Sequence, residues 1–397
     1  MLTKSTASRI TATGVYLTGF GLFFSYAFFA TSMYNDYLPP RFELIVLALV
    51  LPLLLGKILA FDHYQLGQWL LILTGLALIA VVARTSGRYI LLAVYLLVIG
   101  ARRVSFERIA QTALLVGLAT FVLIFASSLL GLIPNLRFMR AGTYRNSFGI
   151  QYPTDFAAHV LYLLLTYAAV KKGRFQWYDW LIGVVAAWFV QVYSDARLDT
   201  ILIGILLVLL LGYQLIRHGK RLAIWLSWIS IGAMPLGAAL SLGLSYFYDP
   251  KVKWLADLNH LLSSRLQLGR EAFNRYDPKW LGQVVQVNGW GGTEGFKKFT
   301  GQIAQSQYFF IDSSYLTVLL SFGIIVAVIL LGGYVWFMWR EVRQRDYLLP
   351  LLIAVTAISC IIDQHLLDLS YNIFLLALLA DTESFALPAT AWKRGIS

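Results

Sequence analysis

The chain has 397 residues, 59% of them hydrophobic and only 13% charged, with a formal net charge of +12. Soluble domains carry about 25% charged residues, so a water-soluble globular protein is excluded, and continuous apolar runs exclude the alternating pattern of a transmembrane β-barrel. The single cysteine, Cys360, excludes an internal disulfide framework and leaves no basis for a cysteine metal site.

Only helices or closed barrels satisfy their backbone in lipid, so the runs are read as helices of an all-α polytopic membrane protein. The first run follows Lys4 and Arg9; it is too long for a signal-peptide core and lacks a small-residue cleavage site, so a retained span is expected. Spans are predicted at 13–33, 41–60, 68–83, 89–101, 110–133, 153–170, 178–193, 198–216, 222–246, 313–337, 348–362 and 369–381. That is about twelve, with a range of ten to thirteen because several runs are short. Lys and Arg in the short connections set the orientation. Lys57, Arg102, Arg103, Lys171, Lys172, Arg217, Lys220, Arg221, Arg340, Arg343, Lys393 and Arg394 fall in the inside set, which puts both termini in the cytoplasm. The outside cations gather in 134–152 and 247–311, and a positive surface there faces something anionic rather than nucleic acid. The chain therefore divides into an N-terminal bundle (1–246, about nine helices), a large extracytoplasmic loop (247–311), and C-terminal helices with a cytoplasmic tail (312–397). From Leu255 to Tyr276, apolar residues recur at helical spacing, which predicts one amphipathic helix on the membrane surface, stopped by Asp277-Pro278.

Four constellations could carry chemistry. Arg137, Arg140 and Arg145 precede Asn146-Ser147-Phe148-Gly149 and Tyr152-Pro153-Thr154-Asp155; guanidinium forks suit phosphate oxygens, although Arg137 and Arg140 would also serve as lipid-headgroup contacts. Ser194-Asp195-Ala196-Arg197-Leu198-Asp199 is a charged turn whose members either pair among themselves or hold Arg197 at a wet cavity. Ser263-Ser264-Arg265 and Arg270 lie on the loop helix, as headgroup anchors or anion ligands. Asp312, with Tyr315 one turn on, is either a helix cap or a general base that basic surroundings keep ionised. Trp254, Trp280 and Trp290 suit sugar stacking or an interfacial aromatic belt. No spaced histidine pair suggests a metal, and neither metal nor cofactor is expected.

Together these stretches resemble the O-antigen ligase/polymerase superfamily, closest to its Wzy-type exopolysaccharide and capsule repeat-unit polymerases. Arg145-Asn146-Ser147-Phe148-Gly149 with Tyr152-Pro153-Thr154 resembles the family's Arg-x-Ser-x-Gly-Phe-x-His-Pro-Asn stretch, and Ser194-Asp195-Ala196-Arg197 its Ser-x-x-Arg. Leu262-Ser263-Ser264-Arg265-Leu266 with Leu281-Gly282-Gln283 resembles its loop Arg and Gly-Gln pair. Asp312-Ser313-Ser314-Tyr315-Leu316 with Phe322-Gly323-Ile324 resembles Asp-Asn-x-Tyr-Leu and a Gly-Ile step, and Asn372 sits where such proteins often have Asn. Tyr152 stands where the family usually has His, and the ligases' His-Asn-x-Tyr-Leu is absent.

The resemblance implies a GT-C-like membrane glycosyltransferase, inverting and metal-independent, working on donor and acceptor glycans linked to undecaprenyl pyrophosphate. It would sit in the cytoplasmic membrane with its site outside, and a chain-length regulator and a flippase would be its partners. It assigns catalysis to Asp312, Arg265, Arg197 and Arg145, and substrate contacts to Arg140, Arg270, Tyr315, Trp280, Trp290, Tyr152 and Asn372. The rival readings are a ligase moving finished glycan to another acceptor, and a lipid-linked oligosaccharide flippase; the latter would need intramembrane charge and paired repeats that the sequence does not display.

Overall fold

The computed structural model describes residues 4–388 except 141, 220–223 and 305–306, with side chains from Thr11 onward. Of the inside cations, Lys220, Arg221, Lys393 and Arg394 lie outside the described residues. The first helices are α1 (Lys4–Ala30), α2 (Phe42–Gly56, extended by a π turn to Phe61), α3 (Leu66–Ser86), α4 (Ile90–Gly100) and α5 (Phe106–Leu129). A two-stranded hairpin follows, β1 (Arg137–Arg140) paired antiparallel with β2 (Thr143–Asn146), with Phe138 opposite Arg145. Next come α6 (Pro153–Val170), α7 (Trp177–Phe189, continued by a π turn to Ser194), α8 (Arg197–Arg217), α9 (Ile224–Ser230) and α10 (Ala233–Tyr246). The loop region carries α11 (Lys253–Leu261), α12 (Arg265–Arg275) and α13 (Gly292–Phe299). The chain ends with α14 (Ser314–Thr317, with a π turn to Phe322), α15 (Ile324–Arg343), α16 (Leu348–Ile362) and the single turn α17 (Phe374–Ala377).

This is an all-α membrane protein with a small hairpin at one end. Among the described residues six helices are long and apolar enough to cross a membrane, and α9 with α10, bent by 46°, makes a seventh. The centre is α16, buried on every side from Leu348 to Ala357 and packed by α8, α9, α10 and α15. A helix that is hydrophobic all round belongs in such a place.

Besides the bend between α9 and α10 in the predicted 222–246 span, three predicted elements differ. The 313–337 span is broken: the helix stops at Phe322 and restarts at Ile324, around Gly323 at φ +93°. The break is filled by the large loop, which lays the turn at Trp280-Leu281 and the irregular stretch after it against the gap. Ile324 N donates to Lys279 O (3.0 Å), Ile325 N to Trp280 O (3.3 Å), and Gln283 N to Ser321 O (3.0 Å). Gly282 (φ +75°) and Gly323 lie backbone to backbone, and a Cβ on Gly282 would meet Ser321 O at 2.1 Å. Glycine is required at both because nothing larger lets two chains approach this closely.

The predicted 369–381 span is the second difference. Apart from the one turn of α17, the segment from Asp363 is irregular. It starts beside α14, where Ser314 N donates to Asp363 O, and reaches the opposite end of the bundle, where Asp381 N donates to Val104 O and Phe106 N to Asp381 O. Its polar backbone survives because it is enclosed by protein rather than lipid; Leu369 and Tyr371 to Ala377 are all buried. Third, the single amphipathic helix is two, α11 and α12, separated by Ser263 and Ser264 at φ +54° and +67°. Two serines in the left-handed region carry no glycine or proline signal, so periodicity alone runs through them.

Candidate active site

A cavity of ≈ 1060 Å³ opens at the hairpin end of the bundle, walled by α1, α4, α12, the loop and the start of the 363–373 segment. Arg145 enters it from β2. Its Nε donates to Ser194 O at 3.0 Å, and its guanidinium lies 5.7 Å from the Tyr152 ring centre. The residue is 4% exposed, yet its NH2 nitrogen has no hydrogen-bond partner. Burial pulls the Arg145 pKa below the ordinary value. A desolvated cation with a free donor is stabilised by an incoming anion.

The surrounding turns explain why this arginine is held so firmly. Ser194 Oγ donates to Asn146 O (3.1 Å) and Asn146 Nδ2 to Tyr193 O (3.1 Å), so the hairpin is fastened to the π turn after α7. Phe148 (φ +45°) donates its N–H to Asn135 Oδ1 at 2.9 Å. Gly149 (φ +84°) leaves no room for a Cβ, which would lie 2.8 Å from Ile133 and 3.0 Å from Ser128. Tyr152 follows in extended backbone and Pro153 opens α6, which leaves Asp155 in the first turn facing the cavity.

Arg265 enters from the first turn of α12 in a different condition. Its Nε donates to Ile362 O at 2.9 Å and sits 3.3 Å from Asp312, while NH2 is 3.9 Å from Asp363. Burial disfavours its charge, but Asp312, Asp363 and Asp199 together push its pKa above the ordinary value. Asp312 faces the cavity because its neighbours are fixed elsewhere. Ser313 Oγ is 2.6 Å from Ser241 Oγ, Leu366 N donates to Ser314 Oγ (3.1 Å), and Tyr315 OH donates to Ala357 O (2.9 Å). Burial raises the Asp312 pKa above the usual carboxylate range, with Arg265 opposing it.

Six of the residues singled out in the sequence line this cavity: Arg140, Arg145, Tyr152, Arg265, Trp290 and Asp312. Five do not. Arg197 projects outward with its side chain 69% exposed and pairs with Asp195, whose other oxygen receives Arg140 NH2 at 2.6 Å. Arg270 lies on the outer side of α12 and donates to Tyr246 O. Trp280 is 68% exposed in the loop turn that fills the helix break. Tyr315 is a buried anchor of α14 against α16. Asn372 is fully buried; its Nδ2 donates to Leu366 O (2.8 Å) and Tyr334 OH (3.2 Å), and its Oδ1 receives Phe374 N, so it supports the irregular segment.

The cavity is not the uniformly basic one expected. Arg88, Arg140, Arg145 and Arg265 face it, but so do Asp155, Glu271, Asp312 and Asp368. Asp312 accordingly does not sit in surroundings that simply hold its proton off; burial outweighs Arg265. Among the residues to which the sequence reading gives no role, Asp155 and Tyr308 line the cavity and Asp363 flanks Arg265. An acidic residue in the first turn of an apolar helix was a readable signal for Asp155; Tyr308 lies in an irregular stretch with no pattern. Tyr308 packs on Trp290, ring centres 4.2 Å apart, and both rings line the cavity. Comparisons with protein-family models, curated proteins and solved structures found no match for this chain.

Proposed function

We propose that the protein is a polysaccharide polymerase that joins oligosaccharide repeat units carried on undecaprenyl pyrophosphate, at the outer face of the cytoplasmic membrane. The observation that carries this reading is the pairing, across one cavity, of a buried guanidinium with a free donor (Arg145) and a carboxylate clamped by another (Asp312 on Arg265). The hydroxyl of the acceptor sugar gives its proton to Asp312 as its oxygen attacks the anomeric carbon of the donor. The bond from that carbon to the pyrophosphate oxygen breaks, and the electron pair leaves with the phosphate. Arg145, with Arg140 beside it, stabilises the developing charge as a preorganised donor. Tyr152 is within electrostatic reach of both Arg145 and Asp312. Attack from one wall with departure toward the other inverts the anomeric centre. The cations Lys57, Arg102, Lys171, Lys172 and Arg340 sit at the end of the bundle away from the cavity, in keeping with a cytoplasmic location for that end.

The test is turnover of an undecaprenyl-pyrophosphate repeat unit by the purified protein in EDTA, with products resolved as a ladder. The expected result is a ladder with wild type and none with Arg145→Ala. Absence of a ladder together with transfer of the lipid across liposomes would overturn the enzyme reading and make the protein a transporter.

A further inference from the structure

A second concavity of ≈ 660 Å³ lies on the outer side of α12, between that helix and the end of α10. Ligand sites commonly span about 300–1,000 Å³, so it is large enough to hold a small molecule or part of a longer one. Tyr246, Phe247, Asp249, Gln267, Glu271 and Asn274 line it. Gln267 and Glu271 also line the central cavity, so one turn of α12 forms the wall common to both. Phe247 is 73% exposed and Tyr246 51%, with the two rings at right angles and 5.1 Å apart.

We propose that this concavity is a glycan-binding subsite, which holds a stretch of neutral sugars of the growing polymer as it emerges from the central cavity; the proposal rests on the polymerase reading above. The chemistry of the lining favours sugar over lipid headgroup. Exposed aromatic faces receive the C–H faces of pyranose rings. Side-chain amides both donate and accept, and carboxylates accept from hydroxyls, so Gln267, Asn274 and Asp249 match a polyhydroxylated chain, with Glu271 held beside them by Arg275. An anionic headgroup would meet the carboxylate of Asp249, and Glu271 is already paired with Arg275. The one cation of the lining, Arg270, is turned onto Tyr246, its guanidinium 5.5 Å from the ring centre and bonded to Tyr246 O. The position fits as well: a polymer longer than the central cavity must leave it, and the wall of Gln267 and Glu271 is where these two concavities adjoin.

The experiment uses the full-length protein in detergent and the lipid-free glycan released by mild acid from the organism's own lipid-linked repeat polymer. Saturation-transfer NMR reports contact, and gel analysis of the polymer reports length. The double variant Phe247→Ala/Asn274→Ala is compared with Phe247→Trp, which keeps a stacking face, and with Arg145→Ala. The proposal expects the double variant to lose most of the saturation transfer and to shorten the mean product several-fold. The rate of the first coupling should stay within twofold of wild type, and Phe247→Trp should retain both length and contact. Unchanged saturation transfer and unchanged product length in the double variant would overturn the subsite. So would loss of copurifying anionic lipid from the double variant with glycan contact intact, which would assign the face to the membrane belt. If wild type makes no polymer from the authentic substrate, the polymerase reading fails instead, and glycan contact without polymerisation separates that outcome from failure of the subsite.

Discussion

Arg145 and Arg265 face one cavity in opposite conditions. Arg265 is surrounded: a carbonyl and two carboxylates occupy its donors, and their charge more than offsets the cost of burying it. Arg145 is under-supplied: one donor reaches Ser194 O, another has no partner, and burial works against the charge. Motif reading treats the two alike, as phosphate ligands. The geometry separates them. A guanidinium with its anions in place orients those anions, whereas one without them is free to receive the substrate's. On this view Arg265 holds Asp312 in position, and Arg145 meets the pyrophosphate.

Five variants would break or sharpen that contrast. The largest effect is expected for Arg145→Lys, which keeps a charge but loses the planar fork. Removal of a preorganised donor to a developing anion costs about 10²–10³ in kcat, and ladder assays at saturating substrate should show that loss with protein yield unchanged. A Lys variant within tenfold of wild type would remove Arg145 from the phosphate role. Next comes Asp312→Asn, expected to lower turnover about 10²-fold, the lower end of what a general base contributes. The pH profile supplies the sharper reading. A base must be ionised to work, and burial raises the Asp312 pKa, so activity should fall as pH drops through a value above the usual carboxylate range. Replacing Arg265 by Lys, which weakens the opposing influence, should move that acid limb to higher pH; an unmoved limb would mean another group is titrating.

A smaller effect, and one on folding, is expected from Gly282→Ala. The added Cβ meets Ser321 O and the backbone is held at φ +75°, so a loss of about 1–3 kcal/mol is expected. A lowered thermal midpoint in detergent would record it, with kcat of the surviving protein near wild type. The smallest effect belongs to Arg197→Ala. Its side chain is largely in solvent, and Asp195 keeps its ion pair with Arg140. Exposed pairs contribute about 0–1 kcal/mol, so turnover should stay within about twofold, whereas a loss as large as that of Arg145→Lys would put Arg197 back among the working residues.

The apolar runs were enough to place most helices, because a long hydrophobic segment has few alternatives in lipid. Hydropathy could not show the break at Gly323 or the irregular path after Asp363. Both runs are apolar, and what interrupts the helix is a tertiary partner: a turn of the loop in one case, a protein enclosure in the other. The same distinction governs the site. Arg145, Arg265 and Asp312 were legible because each lies in a short polar motif beside an apolar run. Arg197 and Arg270 carry the same local chemistry and differ only in which way their helices turn them. The resemblance assigns substrate contacts to Tyr315 and Asn372, whereas the structure uses both to hold backbone.

The irregular segment from Asp363 to Asp381 bears on how the protein is made. A nascent helix can enter the bilayer by itself, since its backbone is already satisfied, but this stretch cannot: outside its enclosure its amides would face hydrocarbon. It is also synthesised after α4, α5, α15 and α16, the helices that enclose it. Its insertion therefore has to wait for α4, α5, α15 and α16 to assemble around the slot it fills, which makes completion of the C-terminal region the step at which biogenesis of the whole bundle either succeeds or stalls.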